Sequence, residues 1–255
     1  PDRRLVEAGR DVGELIGVAP LGVTATDSID EILAMDADAV IYAPLIARLQ
    51  SRAGVVPVAE AAAVIGRSGD ISLLSSTVGS LAAGDIHEAV TELTKAGVFV
   101  ESPGDGWRFR HELLRELALE LAPPSRRREL HSRVAQAMLD AAHAAEPDWR
   151  EVAVHFEQAE QAGDAVDAFR RASVAARHRG ALAEATALLT SALTQLESCD
   201  AGSDRDRTEI AIRLERGFLA NAVEGSWDGA GPADFERCLA LASDGNYSEE
   251  LFDTL

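Results

Sequence analysis

A chain of 255 residues is long enough to bury one large core or two smaller ones, and its 43 acidic against 24 basic side chains, net −19 with an isoelectric point near 4.6, oppose any generalised attraction to a phosphate backbone. Apolar residues make up 47% and aromatic residues only 5%; this is the usage of packed helices and argues against an all-β fold. Cys199 and Cys238 are too few and too far apart for a disulfide framework or a zinc site, no apolar run is long enough to span a bilayer, and no charged-then-apolar signal segment opens the chain. These features predict a cytoplasmic protein with reduced thiols. Lys95 is the only lysine, which together with the alanine excess points to a high-GC coding bias. Beginning at Pro1 without Met and stopping at Leu255, the chain reads as a fragment of a longer protein.

Residues 1–45 read as α/β. A short apolar-periodic stretch (Val12 to Ile16) precedes a segment of strand composition (Gly22 to Thr26), a capping box at Ser28-Ile29-Asp30-Glu31 opens a helix through Met35, and Ala39 to Tyr42 is a buried-strand run ended by Pro44. Helix, strand, helix, strand is a piece of a doubly wound sheet. Gly9-Arg10-Asp11-Val12-Gly13 is only G-x-x-x-G, the spacing of a turn and a close helix contact.

From Ile46 the character changes. Ile46 to Gln50 is a short helix, and Val58 to Ile65 is an alanine-rich helix stopped by Gly66. Asp70 caps a helix holding Ile71, Leu73, Leu74 and Val78. A capping-box variant, Asp85 to Glu88, starts a third helix that stops at Gly97. Val98 to Val100 and Trp107 to Arg110 are strands around a turn-rich SPGDG, the second an edge strand. Helices followed by a β-hairpin form the winged-helix pattern. Its third helix carries Asp85, Glu88 and Glu92 with only His87 and Lys95 as cations, so it would repel phosphate, and DNA binding is not expected.

Two amphipathic helices follow, one over Leu113 to Leu121 and one begun by Ser125 after the Pro123-Pro124 break. His111-Glu112 opens like H-E-x-x-H, but Arg115 stands where the second His would have to point, so the zinc-protease reading fails. Arg126, Arg127 and Arg128, beside Arg133, read as a solvated face, with an acidic partner surface or a nucleotide phosphate as the alternative. Beyond Trp149 helices repeat: Val152 to Ala162 ends at Gly163-Asp164, Ala165 to Arg179 ends at Gly180, and Leu182 to Leu196 ends near Ser198. Gly163 with Ala168, and Gly180 with Ala185, pair a tight turn with a close helix approach. Their spacing is half a tetratricopeptide period. Ile210 to Leu219 continues the pattern, and Gly229-Ala230-Gly231-Pro232 reads as a loop. The expected fold is therefore mainly α, with a partial Rossmann-like α/β segment over 1–45, a winged-helix domain over 46–122 and TPR-like helical hairpins over 123–255.

Two resemblances accompany this reading. The text GRDVGELIGVAPLGVTATDSIDEILAMDADAVIYAPL, residues 9–45, resembles part of the nucleotide-binding domain of dihydrodipicolinate reductase and 2,4-diaminopentanoate dehydrogenase, which would imply an NAD(P)-dependent reductase. No G-x-G-x-x-G precedes it, and no cofactor residue is carried over. Residues 46–224 resemble the region downstream of the ATPase module in actinobacterial STAND/AAA-type signal-transduction ATPases, including LuxR-type regulators and cyclase-associated ATPases. The resemblance rests on Ala47-Arg48-Leu49, Val64 to Arg67, Phe109 to Glu116, Arg126 to His131 and His155 to Ala159. It implies a non-catalytic regulatory fragment that binds a protein partner or a missing ATPase domain. The P-loop G-x-x-x-x-G-K-[ST] is absent, so this chain alone should not bind or hydrolyse ATP, and no catalytic, cofactor-binding or metal residue is assigned.

Overall fold

The computed structural model describes residues 54–79, 83–102, 106–142, 146–224 and 230–245. The α/β segment expected over 1–45, including Gly9, Gly13 and the Ser28 capping box, and the helix expected over 46–50 lie outside the described residues. The described residues are mainly α-helical with a small three-stranded sheet. The chain divides into two compact units between Val134 and Ala135.

The first unit opens with α1 (Val55–Ile65), whose Pro57 sits in the first turn where a missing N–H costs nothing. The helix buries Val58, Ala61, Ala62 and Ala63 completely and stops at Gly66, which takes φ 145° and donates its N–H to the Ala62 carbonyl. Strand β1 (Ser68–Asp70) leads into α2 (Ile71–Val78), capped as expected: Asp70 Oδ1 accepts the Leu73 N–H at 2.6 Å. α3 (Ala83–Lys95) starts three residues earlier than the capping-box reading placed it, which leaves Asp85 in its first turn, where its charge favours the helix N-terminus. Gly97, at φ 77°, ends it.

The sheet corrects the expected edge strand. β3 (Gly106–Phe109) is the central strand, paired antiparallel to β2 (Phe99–Glu101) on one side and to β1 on the other. β1 is only Ser-Gly-Asp, with no apolar alternation to announce it. Its pairing depends on Gly69, which lies opposite Trp107; a Cβ there would stand 3.0 Å from Trp107 Cζ2. Phe99, Trp107 and Phe109 form a fully buried aromatic triad, with Phe109 edge-on to the other two at centroid distances of 4.9 and 5.7 Å. The chain then enters α4 (Glu112–Leu121), breaks at Ala122 and Pro123, and continues as α5 (Pro124–Ala141), in which the division between the units falls.

In the second unit, α6 (Trp149–Gln158), α7 (Ala162–His178), α8 (Leu182–Leu196), α9 (Ser203–Glu224) and α10 (Ala230–Gly245) follow one another, and each packs on the next. The first turn is not the expected one. α6 ends at Gln158 and α7 begins at Ala162, so Gly163 lies inside the first turn of α7 while Glu160 takes the left-handed conformation at φ 57°. Gly180, at φ 74°, does make the second turn. The step from α7 to α8 is correspondingly longer than the glycines suggest. Ala165, Ala168, Phe169, Ala172, Ser173 and Ala176 are buried on α7, and the residues twenty positions later on α8 (Ala185, Leu188, Leu189, Ala192, Leu193 and Leu196) are buried in the same register. Gly231 and Pro232, expected in a loop, lie in the first turn of α10. Proline is tolerated at that place, and Gly231 lies close against α9: a Cβ there would fall 2.5 Å from Asn221 Oδ1, the end of a side chain that would have to move aside.

Candidate interaction surface

Several residues that the sequence singles out in the first unit hold its helices together. His111 is the residue before α4. Glu112 pairs with Arg115 one turn on, and Arg115 Nη1 donates to the Ala63 carbonyl of α1 at 3.2 Å. The expected arginine face splits in two. Arg126 Nη1 bonds Glu129 at 2.8 Å, with Glu60 of α1 3.9 Å from its Nε; Arg133 bonds Glu129 at 2.6 Å and donates to the Val78 carbonyl at the end of α2 at 3.0 Å. Hydrogen bonding from Arg126, then the charges of Arg126 and Arg133, holds Glu129 below the usual carboxylate range, whereas burial pushes Glu60 up against the pull of Arg126. Burial, with the Arg127 charge beside it, pushes His131 down to about 4, so it is neutral at pH 7. On α3, Asp85, His87 and Glu88 are exposed, and Lys95 pairs with Glu92 at 3.2 Å.

The second unit holds two charged assemblies of opposite character. Between α9 and α10, Asp234 is 1% and Glu209 4% exposed. Asp234 accepts from Arg213 at 3.0 Å and from Arg216 at 2.8 and 2.6 Å, while Glu209 accepts from Arg213 at 2.8 Å and Arg237 at 3.0 Å. Arg216 also reaches Thr190 Oγ1 on α8, so the network ties three successive helices together. Cys238 is buried beside it. Burial foremost, then Asp234, pushes its thiol up to about 11, which leaves it protonated and unreactive.

The other assembly is open. A cleft of about 480 Å³ lies among the start of α6, the second half of α7 and the start of α8. Buried Ala172 and Leu188 and half-buried Ala175 line it, along with Trp149, Arg150, Arg179 and Glu184. Arg171 stacks over the Trp149 ring at 4.5 Å, which fixes the indole at the cleft wall. Asp148 caps α6 by accepting the N–H groups of Arg150 and Glu151 at 3.1 and 3.3 Å. Sequence reading passed over these residues, since the arginines are scattered along three helices and only their fold places them together. The one signal was Asp148-Trp149, a cap followed by a large aromatic at the first helical position.

Among the described residues no three His, Cys, Asp or Glu side chains come together as metal ligands, and no helix is long and apolar enough to cross a membrane. No protein-family model, curated protein or solved structure matches the chain.

Proposed function

We propose that this chain is a non-catalytic regulatory and protein-interaction piece of a signal-transduction ATPase or transcriptional regulator: a winged-helix domain followed by a TPR-like array of helical hairpins. The observation that carries the reading is the repeated burial register of α7 and α8, twenty residues apart, in helices that each pack on the next. Helices stacked this way bury one face on their neighbours and leave an extended surface for partners. Support for the winged helix comes from the element order α1-β1-α2-α3-β2-β3 with a sheet in which β3 lies between β1 and β2. The step from α7 to α8, twenty residues, is longer than half a tetratricopeptide period, while the starts of α6 and α8, at 149 and 182, lie 33 residues apart, so the reading is TPR-like in stacking with unequal helix steps.

The test is association. Titrating the chain into a purified P-loop ATPase core of the STAND class, followed by size-exclusion chromatography with light scattering, should yield a complex of defined stoichiometry that leaves nucleotide binding entirely to the core. Independent elution of the two proteins at every ratio would overturn the proposal.

A further inference from the structure

We draw no further inference here: the strongest candidate, the apolar flank that Phe218 and Leu239 expose along α9 and α10 beside the Phe235 ring, is an unpartnered helix face, and nothing in the structure shows what covers it.

Discussion

Replacing Asp234 with alanine should detach α10 selectively. The carboxylate is 1% exposed and receives three hydrogen bonds from Arg213 and Arg216. Deleting one partner of a buried charged network costs ~3–5 kcal/mol, because the other charges stay behind uncompensated. Here the guanidinium side chains are 23% and 17% exposed, Glu209 still holds Arg213, and Thr190 still holds Arg216. The loss should therefore fall near the lower bound, about 3 kcal/mol. The apolar contact between α9 and α10 cannot absorb it, since the cluster of Ile210, Leu214, Cys238 and Leu241, with Phe235 against it, is small and separate from the main core of the unit. Hydrogen exchange read by mass spectrometry should show α10 amides exchanging roughly 100-fold faster, the equivalent of about 3 kcal/mol. Protection in α7 and α8 should change little. A loss below about 1 kcal/mol in urea unfolding, or acceleration spread evenly over α6 to α10, would refute the claim that charge rather than apolar area fastens this helix.

His131 should stay neutral in the folded chain down to about pH 4, so NMR titration should find no ring protonation between 6.5 and that value. Because the folded value lies below the unfolded one, stability is fully present above 6.5 and falls as pH drops toward 4; in His131→Gln that limb of a pH series should flatten, and an unchanged slope would count against the burial argument. Glu209 acts lower on the scale. Burial pushes it up, but hydrogen bonds from Arg237 and Arg213 outweigh that and hold it below its ordinary 4.5, so the destabilisation caused by Glu209→Gln should be full above pH 4.5 and vanish as acid protonates the native carboxylate. Glu160→Gly should stabilise by roughly 0.5 kcal/mol and Gly180→Ala destabilise by about 1 kcal/mol, opposite signs at left-handed turn positions with φ 57° and 74°; chemical denaturation measures both, and equal signs would refute the backbone explanation. Gly69→Ala drives a methyl to 3.0 Å from the Trp107 ring, which should cost ~1–3 kcal/mol by overpacking and alter the near-ultraviolet circular dichroism of the aromatic triad.

Helices were the legible part of this molecule because their signals are local. Asp70 announced its own cap, Gly97 and Gly180 their left-handed turns, and the apolar spacing of α4, α5 and α8 their buried faces. Errors arose where a local signal had two physical uses. Gly163 looked like a turn glycine, yet nothing lies within 4 Å of the place its Cβ would fill and its neighbour Glu160 accepts the left-handed backbone instead. Gly231 reads as a loop glycine and lies instead in the first turn of α10, against the Asn221 side chain. β1 was silent for a related reason: a strand of Ser, Gly and Asp has no pattern, and its place is set by Trp107, far along the chain.

Arginines were the least legible, and distance separates their roles. The run at 126–128 drew attention because it is contiguous in sequence, but Arg126 and its neighbour Arg133 are staples between helices. Arg213 and Arg216, unremarkable in the text, bond a carboxylate that water hardly reaches. Arg150 and Arg179 combine long contacts, 3.9 and 3.5 Å, with high exposure. In a chain with a single lysine, arginine must serve both as the buried fork that fastens helices and as the exposed surface cation. Residue type cannot tell these uses apart. How fully each guanidinium is satisfied by its own chain can: Arg213 and Arg216 close around Asp234 at 2.6 to 3.0 Å, whereas Arg150 and Arg179 stand 3.9 and 3.5 Å from Glu184.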